Sequence, residues 1–233
     1  LQDMLRSLEK RSIAVEEFPN HWTVQLNDTH PAIAVAELMR LLIDQHRLDW
    51  DKAWDITNRS VAYTNHTLLP EALEKWDLSL FRNLLPRHLE LIYEVNRRFL
   101  QQVRLKYPGN DSILRKLSII DEDGGKAIRM AHLATIGAHH VNGVAALHSD
   151  LIKRQLLPEF AELWPEKFTN VTNGVTPRRW VALANPELSK LLDKEIGPNW
   201  ITNMDLLLEL EKKENDSNFL DLFASAKLSG KRK

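Results

Sequence analysis

Three short polar segments concentrate the side chains that could bind a ligand. They are residues 27–31 (NDTHP), residues 64–71 (TNHTLLPE) and residues 172–180 (TNGVTPRRW). Each segment follows an apolar run, contains Asn and Thr, and includes a Pro at a position where a helix can begin. Neutral amides, hydroxyls and imidazoles suit a polyhydroxylated ligand, whose hydroxyls donate and accept hydrogen bonds, better than a phosphate or a metal ion. The three segments therefore predict a site for such a ligand.

A purely structural interpretation of these segments stays open. Asp28 or Thr29 before Pro31 is also what an ordinary helix N-cap looks like. His66 on a turn is more often a surface histidine than a ligand contact. Each segment alone is weak evidence, and only the presence of three segments of the same chemical kind favours binding.

Other residue clusters predict less chemistry. The gaps of seven and eight residues in the histidine cluster do not match the usual spacing of zinc ligands, so histidines in the core or on a helix face are the favoured interpretation. The cluster consists of His132, His139, His140 and His148. Glu37, Glu71 and Glu74 could pair as glycosidase carboxylates, but solvated helix faces are the favoured interpretation. Arg178 and Arg179 lie near a helix start, where they oppose the helix dipole, and a structural salt bridge is favoured for them. The chain has no glycine-rich nucleotide motif.

The composition narrows the class of protein. The chain has 233 residues, and its 31 Lys and Arg against 32 Asp and Glu give a net charge of −1. This balance argues against binding nucleic acid or an anionic membrane through bulk charge. Cysteine is absent, which excludes disulfides, thiolate zinc sites and cysteine nucleophiles. No apolar run reaches the 18 or so residues of a transmembrane helix, so we expect a globular chain with a local binding site.

The hydrophobic periodicity predicts a predominantly helical α/β chain. Helices are expected at residues 1–5, 31–46, 51–63 (capped by Asp51), 86–107, 130–141 and 147–156, with three or four more after Pro177. Strands are expected at residues 23–26 and 168–171, and a hairpin at residues 117–129 around the turn DEDGG. Two short strands do not form a stable sheet alone, and residue 1 is a Leu inside a helical pattern. We therefore expect the chain to be a piece of a longer protein.

Five sequence motifs, in the same order, resemble signatures of the glycogen/starch (α-glucan, maltodextrin) phosphorylases. They are VQLNDTHP at residues 24–31, AYTNHTLLPEALEKW at 62–76, LLPRHL at 84–89, VNGVA at 141–145 and TNGVTPRRW at 172–180. The resemblance extends over nearly the whole chain. It implies an enzyme that transfers the terminal glucosyl unit of an α-1,4-glucan to inorganic phosphate, giving glucose 1-phosphate. It also implies pyridoxal 5'-phosphate as cofactor and a GT-B-like architecture of two Rossmann-type domains, incomplete in this chain.

The resemblance further implies roles for individual residues. His66 and Asn173 would hydrogen-bond the primary hydroxyl of the glucosyl unit, and Val144 would pack near its ring. The neighbouring pocket would be lined by His30, Asp28, Thr67 and Glu71. These roles agree with the neutral polar chemistry of the three segments.

The resemblance also implies what this chain lacks. The family's cofactor lysine, its cationic residues for the substrate phosphate and its glycine-rich loop belong to motifs that are absent here. Residues 1–173 would be the last part of the N-terminal domain, and residues 174–233 the first helices of the C-terminal domain. We therefore expect no catalytic activity from the chain alone. The resemblance also implies a parent enzyme that is a homodimer and acts in the cytoplasm, or in a plastid if it is a plant protein. A non-catalytic glucan-binding or protein-interaction module is the alternative.

Overall fold

The computed structural model describes residues 1–123 and 125–232 and divides the chain into two compact units. The first unit is Leu1–Thr172 and the second is Asn173–Lys233. The helices of the first unit are α1 Gln2–Lys10, α2 Phe18–His21, α3 Ala34–Arg40, α4 Trp50–Ser60, α5 Leu78–Leu84, α6 Pro86–Lys106, α7 Asp111–Leu117, α8 Met130–Gly137, α9 Ala146–Leu151 and α10 Pro158–Leu163. Its strands are β1 Val24–Asn27, β2 Val61–Thr64, β3 Lys75–Asp77, β4 Ile120–Asp121, β5 Ala127–Arg129, β6 His140–Gly143 and β7 Phe168–Asn170. The predicted α/β class with a helical majority is confirmed.

A four-stranded parallel sheet is the centre of the first unit. Its strand order is β1-β2-β6-β7, and every neighbouring pair is parallel. Tyr63 of β2 lies opposite Leu26 of β1 and Val141 of β6. All three side chains are fully buried, because helices cover both faces of a parallel sheet.

Two of these strands correct the sequence prediction. The predicted helix at residues 51–63 ends at Ser60, and Val61–Thr64 forms β2. The N-cap of this helix, α4, is Asp49 rather than the predicted Asp51. The side chain of Asp49 accepts a hydrogen bond from the amide of Lys52 at 3.0 Å. The predicted helix at residues 130–141 likewise ends at Gly137, and β6 follows. Each strand has only four residues. β2 directly follows a helix and β6 is separated from the preceding helix by two residues, so periodicity alone does not separate the strands from the helices. The strands therefore have neighbours within the chain, contrary to the expectation from two isolated strands.

A second, smaller sheet contains the predicted hairpin. β4 and β5 pair antiparallel, and β3 pairs antiparallel with the other edge of β5. Gly124 of the predicted turn lies outside the described residues. Buried in this hairpin, Asp121 forms ion pairs with Arg129 at 2.9 Å and Lys75 at 2.8 Å. These ion pairs connect all three strands of the small sheet.

Helix α6 is the longest helix of the first unit and packs on its main core. It confirms the helix predicted at residues 86–107. Ile92, Phe99 and Val103 point into the core, where Phe99 stacks on Phe160 with ring centroids 5.8 Å apart. The predicted helix at residues 31–46 forms as α3, continued by a wider π-helical turn at Leu41–Gln45. No helix among the described residues is long and apolar enough to cross a membrane.

The second unit is helical in its described part. After a π-helical segment at Arg178–Leu183 come α11 Pro186–Ile196, short 3-10 segments at Pro198–Ile201 and Met204–Lys213, and α12 Ser217–Arg232. Trp200 is fully buried and donates from its indole nitrogen to Asp193 at 2.8 Å. This arrangement agrees with the short helices predicted after Pro177.

Candidate functional site

Residues of the predicted site follow three neighbouring strands of the parallel sheet at the point where each strand ends. Asp28 follows β1, Asn65 follows β2 and Val144 follows β6. The backbone amide of Asp28 donates to Thr64 at 2.9 Å, and that of Asn65 donates to Asn142 at 3.0 Å. Because the carboxyl ends of parallel strands meet at one edge, the first two polar segments and Val144 lie along the same edge of the sheet. In open α/β sheets, ligands bind at this edge.

Side-chain hydrogen bonds link these strands near their carboxyl ends. The amide nitrogen of Gln25 donates to the hydroxyl of Thr64 at 2.8 Å, and that hydroxyl donates to Oδ1 of Asn142 at 2.8 Å. Nδ2 of Asn142 donates to the carbonyl of Gly143 at 2.9 Å. The orientation of each side chain is therefore set by a neighbour on the adjacent strand.

A buried network lies just behind this edge. Asn65 is fully buried; its Nδ2 lies 3.1 Å from the hydroxyl of Tyr63, and its Oδ1 lies 3.0 Å from Nε2 of His148. The backbone amide of Val144 donates to Nδ1 of His148 at 3.0 Å. Burial and the nearby His66 lower the pKa of His148, which favours the neutral imidazole. The sequence interpretation of His148 as a core or helix-face histidine missed this link, because its partner Asn65 lies 83 residues away.

Glu74 connects the first segment to the second. Its carboxylate accepts from the buried hydroxyl of Thr29 and lies 3.3 Å from Nδ1 of His30, while its carbonyl accepts from the amide of Met130 at 3.1 Å. Burial raises the pKa of Glu74, but the bonds from Thr29 and His30 outweigh burial and leave the pKa lowered. Glu74 lies between a 3-10 turn and β3, which corrects its interpretation as a solvated residue on a helix face.

The remaining expected site residues differ in exposure. His66 is exposed, Thr67 is half-buried, and the hydroxyl of Thr67 accepts from the amide of Leu69 at 3.2 Å. Glu71 is exposed on the short 3-10 turn Pro70–Ala72. The side chain of His30 is 76% exposed. Asn173 is the first residue of the second unit and is also exposed.

Asp28 has an unusual backbone conformation at this edge. Its φ is 63°, a left-handed conformation that Asp and Asn adopt more readily than most residues. Its carboxylate accepts from the amide of Thr29 at 2.7 Å. The reversal of the chain after β1 therefore depends on Asp28 itself, which is a structural role beside any contact with a ligand.

Three other residue sets, which the sequence did not favour as sources of chemistry, can be located in the structure. Arg178 and Arg179 are exposed, and neither forms an ion pair with another residue of the range 173–232, so the favoured salt bridge stays a prediction. The bond from Arg40 lowers the pKa of Glu37 to about 2; burial raises this pKa, and a bond from His88 lowers it further. Glu37 therefore does not hold a proton for acid catalysis. No group of three His, Asp or Glu side chains in residues 1–123 and 125–232 could hold a metal ion.

A cleft of about 560 Å³ lies at the opposite, amino edge of the sheet. Its walls include Trp50, Trp54, Phe99 and Trp164, and Lys167 lies just before β7. Nζ of Lys167 lies 4.0 Å from the ring centroid of Trp164 and donates to the carbonyl of Thr135 at 3.1 Å. Burial lowers the pKa of Lys167 to about 8. The aromatic walls of this cleft lie away from the first two polar segments.

Comparison with known proteins decides the family. The family model described as carbohydrate phosphorylase matches residues 1–233. The chain belongs to the carbohydrate phosphorylase family. As a carbohydrate phosphorylase segment it is 61% identical over 211 residues to the glycogen phosphorylase of Synechocystis sp., covering 91% of this chain and 25% of that protein.

Other relatives of this phosphorylase segment come from distant organisms. It is 50% identical to the glycogen phosphorylase of Chlamydia trachomatis over 231 residues, covering 99% of this chain and 28% of that protein. It is 46% identical to the muscle form of human glycogen phosphorylase over 241 residues, covering 100% of this chain and 29% of that protein. The chain thus spans about a quarter of the length of the curated relatives that it matches.

Proposed function

We propose that this chain is part of an α-1,4-glucan phosphorylase and supplies the wall that binds the terminal glucosyl unit. The parent enzyme transfers this unit from glycogen, starch or maltodextrin to inorganic phosphate and releases glucose 1-phosphate. The observation that supports this proposal most strongly is the convergence of Asp28, His66 and Val144 at the carboxyl edge of one parallel sheet. Family membership and the names of the relatives support the reaction.

The chemistry of this edge suits a neutral sugar. The exposed imidazole of His66 and the partly exposed hydroxyl of Thr67 present donors and acceptors to solvent, while bonds inside the fold fix the residues behind them. Each sugar hydroxyl needs both a donor and an acceptor. In the proposal His66 binds the primary hydroxyl, Val144 packs near the ring, and His30, Asp28, Thr67 and Glu71 line the adjoining pocket.

The proposal keeps for Asn173 the role that the family resemblance implies, a hydrogen bond to the primary hydroxyl. Residues 1–173 form the end of the N-terminal domain and residues 174–233 the beginning of the C-terminal domain of a GT-B enzyme. The proposed partners are an α-1,4-glucan and inorganic phosphate, and the parent enzyme is a homodimer that acts in the cytoplasm. Support for the domain assignment comes from the break between the two compact units at residues 172 and 173.

A role for His66 in the transition state follows from the nature of glucosyl transfer. The sugar ring flattens toward an oxocarbenium ion as the glycosidic bond breaks. A contact that fixes the primary hydroxyl accelerates the reaction only if it is stronger in the flattened ring than in the ground state. The exposed His66 follows the fully buried Asn65, so the turn that carries its imidazole is anchored in the core.

The cofactor of the family does not fit the described residues of this chain. Pyridoxal phosphate needs a lysine and a set of cationic or amide donors for its phosphate. The polar edge instead carries Asn, Thr and His together with the carboxylates of Asp28 and Glu74. Lys167, whose lowered pKa would suit an amine nucleophile, lies at the amino edge and bonds to the carbonyl of Thr135. We assign no residue of this chain to the cofactor and no catalytic step to this chain alone.

The test compares the chain with the full-length protein. The 233-residue chain, mixed with maltooligosaccharide, phosphate and pyridoxal phosphate, should release no glucose 1-phosphate. The full-length protein should do so, and His66→Ala should lower its kcat/KM about tenfold or more, as expected for about 1.4 kcal/mol of lost transition-state binding. His21→Ala, at an exposed position on α2, is the matched control.

Two results would decide against the proposal. A full-length protein that cleaves no glucan with phosphate would contradict the proposed reaction. Saturable glucan binding by that inactive protein, lost in His66→Ala together with Asn173→Ala, would instead favour a non-catalytic glucan-binding module. Turnover by the 233-residue chain alone would contradict the assignment of this chain to a binding wall only.

A further inference from the structure

His148 joins two of the strand ends that form the polar edge. Its Nδ1 accepts from the backbone amide of Val144 at 3.0 Å, just beyond β6. Its Nε2 lies 3.0 Å from Oδ1 of the buried Asn65, just beyond β2. The ring itself is carried by α9, the helix that follows Val144 in the chain. One imidazole thus connects the residue expected near the sugar ring to the residue that precedes His66.

The hydrogen-bond partners determine the tautomer of this imidazole. The backbone amide of Val144 is a donor, so Nδ1 must carry a lone pair. The oxygen of Asn65 is an acceptor, so Nε2 must carry the proton. Nδ2 of Asn65 then donates to the hydroxyl of Tyr63 at 3.1 Å, and Tyr63 is fully buried. The direction of donation is therefore the same along the whole path from Val144 through His148 and Asn65 to Tyr63.

We propose that neutral His148, protonated on Nε2, is a positioning residue that holds the Val144 amide and the Asn65–His66 turn in register for the glucosyl unit. The inference rests on the proposed function and adds to it a residue that does not touch the sugar. Protonation of Nδ1 would point an N–H group at the N–H group of Val144 and break this bond. Burial and the nearby His66 lower the pKa of His148, which keeps the imidazole in the neutral form.

The first experiment examines the imidazole itself. We expect nitrogen-15 NMR of the histidine side chains in the 233-residue chain at pH 7.5 to show an unprotonated Nδ1 and a protonated Nε2 for His148, assigned by its loss in His148→Gln. A proton on Nδ1 at this pH would overturn the proposal. This measurement does not depend on any enzymatic activity.

The second experiment uses variants that keep one bond each. The side-chain oxygen of Asn can occupy the place of Nδ1, so His148→Asn can retain the bond from Val144. The side-chain amide nitrogen of Gln can occupy the place of Nε2, so His148→Gln can retain the bond to Asn65. In the full-length enzyme we expect His148→Ala to lower kcat about 10- to 100-fold, since small displacements of positioned groups have effects of this size. The KM for glucan should change less than threefold, and each single-bond variant should recover part of the lost kcat.

The outcomes separate this inference from the proposed function. Equal kcat values in wild type and all three variants would overturn the positioning role. So would a kcat that falls only in proportion to the folded fraction, measured by near-ultraviolet circular dichroism. The wild-type enzyme could instead be inactive while His148 shows the expected unprotonated Nδ1 and protonated Nε2. That result would contradict the proposed function and the role of His148 for the substrate, but it would leave the hydrogen-bond path established.

Discussion

The hydroxyl of Thr29 donates a hydrogen bond to the carboxylate of Glu74, across 45 residues of sequence. Thr29 is buried directly after β1, and Glu74 precedes β3 of the small sheet. The carbonyl of Glu74 also accepts from the amide of Met130, at the start of α8. Glu74 thus connects the polar edge of the parallel sheet to the small antiparallel sheet.

Replacing Thr29 by Val tests this connection. The Val side chain has nearly the same shape but lacks the donor, so Glu74 loses one of its bonds. We expect Thr29→Val to lower the free energy of unfolding by about 1 kcal/mol, the usual net value of a hydrogen bond. Urea denaturation measures this value, and Thr23→Val at an exposed position is the control. Equal losses in the two variants would show that the bond to Glu74 contributes nothing specific.

Gly143 allows α9 to approach the end of β6. A Cβ atom at this position would lie 2.8 Å from Cα and 2.9 Å from the amide nitrogen of Ser149. Because these are backbone atoms of a helix, they cannot move aside as a flexible side chain would. We expect Gly143→Ala to lower the free energy of unfolding by about 1–3 kcal/mol.

Gly174 provides the matched control for this substitution. A Cβ atom there meets nothing within 4 Å, and its backbone is not in the left-handed region. Gly174→Ala should therefore leave stability unchanged or raise it by about 0.5 kcal/mol through the unfolded state. A Gly143→Ala variant as stable as Gly174→Ala would contradict the close approach of α9.

Asp121 should contribute more to stability than an exposed acid with a similar partner. It is 4% exposed and is paired with Arg129 and Lys75. We expect Asp121→Asn to cost about 3 kcal/mol, because it leaves the partly buried Arg129 without its counter-charge. The control is Asp150→Asn, which removes an exposed pair with Arg154 and should cost less than about 1 kcal/mol.

The ion pairs of Asp121 also predict a change of stability with pH. Burial raises the pKa of Asp121, but the bonds from Lys75 and Arg129 outweigh burial and lower it to about 2. The stabilisation is therefore complete above the unfolded pKa near 3.8 and is lost as the pH falls toward 2. Asp121→Asn should show a shallower loss of stability across this acid range. An identical acid slope in wild type and variant would contradict the role of the carboxylate.

His132 predicts a second loss of stability at a higher pH. Its imidazole packs edge-on against Phe160, and burial, with the charge of Arg129, lowers the pKa of His132 to about 4. The unfolded chain takes up this proton near pH 6.5, so the neutral histidine stabilises the fold fully above pH 6.5 and less as the pH falls toward 4. The slope is at most about 1.4 kcal/mol per pH unit for one proton.

Chemical denaturation between pH 4.5 and pH 7.5 measures this slope. His132→Phe should flatten it by up to one proton, while the pKa values of His139 and His148, which burial also lowers, leave a residual slope. An unchanged slope in His132→Phe would show that folding does not lower the pKa of His132.

The sequence predicts the long elements of this fold better than the short ones. Helix α6 has 21 residues, so its period is unambiguous and its bounds were predicted within one residue. β2 and β6 have four residues each and were predicted as ends of helices. What makes them strands is pairing between segments that are far apart, such as Ala62 with His140. Such pairing cannot be inferred from the local pattern of four residues.

The polar edge was predictable only in part, because local residue types can be recognised in a sequence whereas long-range pairing cannot. The segments containing Asp28 and His66 were recognised from their residue types and the prolines after them. Their position along one edge follows from the pairing of β1, β2 and β6, which the local sequence patterns did not predict. The bond between His148 and Asn65 joins a helix to a strand end 83 residues away, and no local pattern distinguishes it from an ordinary surface histidine.

The parallel register of β1, β2 and β6 has a consequence for the order in which the chain acquires its structure. The side chain of Gln25 bonds to that of Thr64, 39 positions later, and the side chain of Thr64 bonds to that of Asn142, 78 positions later. Local helices form in microseconds, whereas contacts over such separations must first overcome the entropy of closing long loops. We therefore expect the helices to form first and the sheet to close late. The polar edge would then be assembled in the slowest folding step, during which unpaired strands are exposed to aggregation.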